Sequence, residues 1–286
     1  MATLKELKIR RKSVVSTRKI TSAMKMIAAG KLKRSLDNMQ KAVPFARSMQ
    51  NIVKLLIYLE RKIYEQYFQI QGKRTIYVLV TADRGMCGGF NNNVIKKFKT
   101  VFNPANGDRV IGVGNKACDY LKRSQDGVVA LFPDFYSGIG FDKIEEVAEQ
   151  VFEQVRGDQI DRVAYIYNRF ITALSQEAVA DIVLPVEMDM AEMRRKNLEM
   201  KAEVLFEPSP LAVFDYIFPE YLKGMLWKAV QESAAAENAA RMATMESATD
   251  NATEMINQLT LEINKARQAG ITQEISEIVA GSESVG

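Results

Sequence analysis

Two glycine-rich turns are the residues of this chain best placed to bind a ligand. Residues Asp83–Gly89 and Gly112–Gly114 each follow a short apolar run that is typical of a β-strand. Backbone amides in such turns can bind phosphate where a helix begins. Neither turn has the spacing of a dinucleotide-binding motif or a P-loop. We therefore interpret both as tight strand-to-helix turns, and we expect Asp83 and Arg84 to form local ion pairs.

The composition excludes several kinds of catalysis. The 286 residues include no histidine, which removes the commonest general base, the commonest zinc ligand and any Ser-His-Asp or Cys-His nucleophile. Two cysteines, Cys87 and Cys118, are too few for a disulfide framework and favour a reducing compartment. We predict neither a cofactor nor a metal. The basic start lacks the apolar region of a signal peptide, and no apolar run is long enough to span a membrane.

The glycine turns lie in a central segment where strand and helix patterns alternate. This alternation predicts an α/β domain with a largely parallel sheet. The last two predicted strands have no helix between them, which favours an antiparallel pair. The predicted strands are Thr75–Thr81, Arg109–Val113, Val128–Phe132, Arg162–Asn168 and Ala178–Pro185, and the predicted helices are Asn93–Phe102, Lys116–Arg123 and Phe141–Val155.

Both ends of the chain have the pattern of one long helix. Residues Thr3–Leu59 contain a single breaker, Pro44, and Leu211–Ala280 follow a Pro-Ser-Pro start signal. In the second helix one seam alternates three- and four-residue steps, which is the spacing of a coiled coil. We predict an antiparallel two-helix coiled coil with an inserted Rossmann-like α/β domain, divided as residues 1–59, 74–205 and 208–286. The seam residues are Met242, Met245, Thr249, Ala252, Ile256, Leu259, Ile263 and Ala266.

The two ends carry opposite charge. Residues Met1–Lys41 contain 12 Lys and Arg against 2 Asp and Glu, whereas Pro208–Gly286 contain 5 against 11. The two ends can pair with each other or recruit separate partners. One alternative is therefore a coiled-coil scaffold whose basic arm binds nucleic acid or an acidic protein, although no aromatic residue precedes Phe45 to stack on bases. Another alternative, a nucleotide-dependent enzyme, rests only on the glycine turns.

Several strings resemble the gamma subunit of F-type ATP synthases. They include Ile20–Leu32 (ITSAMKMIAAGKL), Glu237–Met242 (ENAARM), Asn264–Ala269 (NKARQA) and Ile271–Ile275 (ITQEI). The resemblance covers the whole chain in the family's order. It implies a non-catalytic central rotor shaft that couples proton-driven rotation of the c-ring to conformational cycling of the alpha/beta catalytic hexamer.

The resemblance also implies partners and contact positions. The coiled coil would stand within three alpha and three beta subunits. The α/β domain would touch the epsilon subunit and the c-ring, with no nucleic acid bound. Membrane association would come only through the c-ring, on the cytoplasmic face of a bacterial inner membrane. The matching positions are Met24, Lys25, Arg34 and Arg241 for a lever loop of beta; Arg267, Gln268, Thr272 and Glu274 for a catch loop of beta; Ile271, Ile275, Ile278 and Val279 for an apolar sleeve of alpha and beta; and Glu207 for the c-ring.

Overall fold

Two long helices and a five-stranded α/β domain make up the part of the chain that the structure describes. The computed structural model describes residues 3–60, 63, 74–124, 126–137, 140–157, 160–188 and 206–283. Residues 189–205, which we assigned to the α/β domain, lie outside this range. In chain order the elements are α1 (Leu4–Leu59), β1 (Thr75–Val80), α2 (Phe90–Val101), a 3-10 turn (Pro104–Asn106), β2 (Arg109–Val113), α3 (Asn115–Ser124), β3 (Val128–Phe132), α4 (Phe141–Arg156), β4 (Arg162–Phe170), β5 (Gln176–Leu184) and α5 (Pro210–Glu283).

The sheet has the strand order β3-β2-β1-β4-β5. Strand β1 pairs in parallel with both β2 and β4, and β2 pairs in parallel with β3. Strands β4 and β5 form the one antiparallel pair of this sheet. The predicted parallel sheet with a final antiparallel pair is therefore confirmed. The connections between the parallel strands carry helices, as parallel pairing requires.

Side chains of β1 alternate between two apolar cores because successive strand residues point to opposite faces. Tyr77 and Leu79 face α2 and α3. Ile76, Val78 and Val80 belong to the larger core on the other face, which also contains side chains of α4, α1 and α5. All six residues of β1 are buried, as expected for a central strand with helices on both faces.

The chain divides into two compact units. The first combines Met1–Ala29 with Arg241–Gly286, and the second is Gly30–Ala240. Within the second unit α1 and α5 pack closely beside the α/β domain. A Cβ atom added to Gly224 of α5 would lie 3.2 Å from the Phe45 ring of α1. The Asn238 side chain also donates a hydrogen bond to the Ser35 hydroxyl at 3.3 Å.

Within the first unit the ends of α1 and α5 pair in opposite directions. As the residue number rises along α1, the number of its partner on α5 falls. The predicted antiparallel pairing of the two chain ends is therefore confirmed. The contacts are Arg11 Nε to Thr260 Oγ1 at 2.9 Å, Thr249 Oγ1 to Thr21 Oγ1 at 2.8 Å, and Lys25 Nζ to Glu246 Oε1 at 2.6 Å.

The predicted seam of α5 is the face turned inward. Met245, Ala252, Ile256 and Leu259 are buried, and the other four seam residues are half-buried. On α1 the apolar spacing of Ile20 and Ile27 does not mark the side that faces α5. These two side chains are 58% and 60% exposed. The buried positions of α1 in this unit are Leu7, Thr21 and Ala28. Small side chains at the contact let two helices approach closely.

Candidate partner-binding surfaces

The carboxyl edge of the sheet is closed by the side chain of Asp83. Its Oδ1 atom accepts hydrogen bonds from the backbone amides of Asn115 and Phe135, both at 3.2 Å. Its Oδ2 atom accepts one from the amide of Tyr136 at 2.7 Å. We expected local ion pairs for Asp83, whereas its carboxylate joins the turns after β1, β2 and β3. Those turns end at one edge, where their partly buried amides need an acceptor.

The second glycine turn is explained by close packing. Gly114 has a φ of +88°, and a Cβ atom there would lie 2.2 Å from the carbonyl oxygen of Thr81. A Cβ atom on Gly112 would lie 2.8 Å from Leu121 and 2.9 Å from Leu131. The fold thus requires a glycine at position 114, whereas a side chain at position 112 would have to displace the two leucine side chains. Among the residues that the structure describes, no group of acidic or cysteine side chains could hold a metal ion.

The lever-loop residues lie in both units. In the first unit Met24 and Arg241 are half-buried. Lys25 forms an ion pair with Glu246, and the two side chains are 39% and 50% exposed. Arg34 belongs to the second unit and is exposed. Sequence reasoning missed Glu246, although its charge and its antiparallel register with Lys25 could have suggested the pair.

The end of α5 extends beyond the start of α1. Arg11 contacts Thr260, so Leu4, seven residues earlier, stands level with Arg267 in an antiparallel pair. Every side chain described from Arg267 onward is exposed. The structure therefore places the predicted catch-loop and sleeve residues on one projecting segment of a single helix. We call Arg267–Val279 the tip.

The tip carries two kinds of surface. The apolar side chains are large and 50–71% exposed: Ile271, Ile275, Ile278 and Val279. The polar side chains of Arg267, Gln268 and Glu274 are also exposed. The hydroxyl of Thr272 donates to the Gln268 carbonyl oxygen at 3.0 Å, and it is thus bonded to its own helix. An exposed apolar surface that none of the described elements covers indicates a binding partner.

A polar cluster in the second unit joins α5 to the final strand pair. Asp181 Oδ2 lies 3.3 Å from Lys228 Nζ, 3.7 Å from Arg169 and 3.2 Å from the Tyr167 hydroxyl. Burial raises the pKa of the nearby Glu232 carboxyl, and the positive charge of Lys228 partly opposes that rise. One Glu232 oxygen has no hydrogen-bond partner among the described residues. Sequence spacing gave no signal for this cluster, because its members come from three elements.

The remaining predicted contact, Glu207, lies in the second unit just before α5. It is exposed, so a partner could reach its carboxylate. None of the described helices is apolar over a stretch long enough to cross a membrane.

Taken together, these features define a stalk-type subunit, with an antiparallel coiled coil, an α/β domain whose carboxyl edge is closed, and an uncovered apolar tip. A family model described as ATP synthase matches residues 3–285. The gamma chain of Heliobacterium modesticaldum is 37% identical over 290 residues and covers 100% of both chains. The gamma chain of Chlorobaculum tepidum is 36% identical over 297 residues, covering 100% of this chain and 99% of its own.

Solved structures agree with this similarity. A chain in the central stalk and c-ring structure of Tetrahymena thermophila mitochondrial ATP synthase is 27% identical, with a TM-score of 0.63 over 80% of this chain and 99% of its own. A chain of Euglena gracilis mitochondrial ATP synthase shares the fold, with a TM-score of 0.70, 20% identity, and coverage of 99% and 94%. The chain belongs to the ATP synthase gamma chain family. It is accordingly the central rotor shaft of a rotary ATP synthase, and these relatives give no support to the nucleic-acid alternative.

Proposed function

We propose that this chain is a non-catalytic shaft gripped at its tip by a ring of three alpha and three beta subunits. The observation that carries the proposal is the tip, where four large apolar side chains lie exposed on a helix that α1 no longer covers. An apolar sleeve formed by surrounding subunits would bury these side chains. Such burial is the main favourable term in most protein association.

The polar side of the tip suits a loop of a beta subunit. Arg267 and Gln268 are adjacent and exposed, so a guanidinium and an amide can bind one loop together. A guanidinium forms paired, charge-assisted hydrogen bonds with a carboxylate. Thr272 and Glu274 lie one to two turns further along the same helix and complete the proposed catch contact.

The lever contact would involve the half-buried Met24 and Arg241, the paired Lys25, and Arg34. An acidic loop on beta would complement the basic side chains of this set. Differential contacts of this kind bias the conformational equilibrium of each beta subunit. Because α1 is basic and the end of α5 acidic, three beta subunits around one shaft would each meet a different charge pattern.

The α/β domain would contact the epsilon subunit and the polar loops of the c-ring, with Glu207 at the c-ring contact. In this arrangement the chain reaches the membrane only through the c-ring, on the cytoplasmic face of a bacterial inner membrane. The chain has no catalytic site of its own in this proposal. Its part in ATP synthesis is to carry rotation from the ring to the catalytic subunits.

Replacing Arg267 and Gln268 together with alanine tests the catch contact. We expect ATP synthesis in reconstituted vesicles to fall severalfold or more, with the helical content of the isolated chain unchanged. The matched control replaces Asn264 and Lys265 with alanine, because this pair offers an amide and a positive charge about one turn earlier, and both are exposed. Equal ATP synthesis by both double variants would remove Arg267 and Gln268 from the contact.

A further inference from the structure

Glu246 on α5 holds the one lysine of α1 that we place in the lever contact. Lys25 Nζ lies 2.6 Å from Glu246 Oε1, with both side chains substantially exposed. The pair joins the two helices within the first unit. An acidic partner that approaches Lys25 therefore meets an ammonium group that is already paired with the Glu246 carboxylate.

We propose that Glu246 is an internal competitor that limits how strongly the shaft binds an acidic loop of a beta subunit. This inference rests on the proposed lever contact and adds a residue to it. Exposed ion pairs contribute little free energy and exchange readily. The pair can thus open when a partner presents carboxylates, and the partner must replace the contact that Glu246 provides.

The competition should matter because the shaft turns. A lever contact has to break each time the shaft leaves one beta subunit for the next. An excessively strong contact at a resting angle would raise the barrier to the next step. By keeping Lys25 occupied, Glu246 makes the contact weaker and the step easier.

The test compares Glu246→Gln, Lys25→Met, the double variant and Asp250→Asn, each assembled with alpha and beta subunits. Asp250 lies one helical turn after Glu246, is exposed, and carries the same charge, so it controls for net charge alone. Steady-state ATP hydrolysis is measured at low and at high salt.

We expect Glu246→Gln to slow turnover by up to about fivefold at low salt, the factor that corresponds to a strong exposed ion pair. High salt should restore most of the rate, because it screens exposed charges. In the Lys25→Met background Glu246→Gln should have no further effect, and Asp250→Asn should slow turnover less than Glu246→Gln does.

A purely structural role for the pair predicts a different pattern. Glu246→Gln and Lys25→Met both break the ion pair, so a structural role would make them slow turnover equally. The proposed competition would be overturned by any of three results: equal slowing by Glu246→Gln and Lys25→Met, no slowing by Glu246→Gln, or equal effects of Glu246→Gln and Asp250→Asn. Failure of the wild-type chain to assemble with alpha and beta would instead refute the proposed function, and the inference with it.

Discussion

Replacing Ile275 and Ile278 with serine should separate the stability of the chain from its assembly. These side chains are 57% and 71% exposed in the isolated chain, so they contribute little to its folding. Isoleucine and serine have similar helix propensities, so the helix itself should persist. We therefore expect the thermal melting of the isolated variant to match that of the wild-type chain.

The loss of binding free energy should be seen only when partner subunits cover the tip. Complete burial of an isoleucine side chain contributes about 1.5–3 kcal/mol. Since more than half of each side chain remains to be buried, each should contribute about 1–2 kcal/mol to assembly. The double variant should then bind about 2–4 kcal/mol more weakly, which is roughly 30- to 700-fold.

A competition assay measures this difference. Wild-type and variant chains compete for limiting alpha and beta subunits, and the fraction of each chain in the assembled complex is determined. Ile256→Ser is the contrasting control, because Ile256 is buried in the seam. It should destabilise the isolated chain by about 2–5 kcal/mol through the cavity it leaves. Equal incorporation of wild-type and tip variant would refute the argument, as would a lower melting temperature for the isolated tip variant.

Two further predictions concern the second unit. Gly30→Ala should stabilise α1 by about 1 kcal/mol, because a Cβ atom there meets nothing within 4 Å. Gly224→Ala should raise the stability less, because its Cβ atom would lie only 3.2 Å from the Phe45 ring. An equal rise in melting temperature for both variants would contradict this prediction. Glu232→Gln should become more stable relative to the wild-type chain as pH rises above about 4.5. Burial raises the pKa of the native Glu232 carboxyl, so the unfolded wild-type chain releases this proton at a lower pH than the native state does, and the wild-type chain loses stability as the pH rises. Chemical denaturation of both proteins between about pH 4.5 and 8 measures this difference, and parallel stability curves would show that the pKa of Glu232 is the same in the native and unfolded states.

The buried face of α5 could be predicted from the sequence, but the buried face of α1 could not. The seam of α5 follows strict spacing, and the structure turns all eight seam residues inward. On α1 the apolar spacing of Ile20 and Ile27 predicted the helix but did not identify its buried face. Close contact between the helices selects small side chains such as Ala28, so hydrophobicity alone is a poor guide there.

The contacts of Asp83 and Glu232 could not be predicted from the sequence. Asp83 receives amides from two other turns, more than 30 and more than 50 residues away along the chain. Glu232 lies near side chains of β4 and β5 as well as Lys228 of its own helix. Only the tertiary arrangement brings such groups together. The tip residues, by contrast, were identified through family resemblance, and the structure confirms their exposure without testing their contacts.

The closed carboxyl edge of the sheet has a consequence for nucleotide binding by the α/β domain. In related α/β architectures the phosphate of a nucleotide binds at this edge, beside the first turn of a helix. Here the carboxylate of Asp83 already accepts a hydrogen bond from the Asn115 amide at the start of α3, and it would repel an incoming phosphate. This edge of the α/β domain is therefore a poor site for the phosphate of a nucleotide.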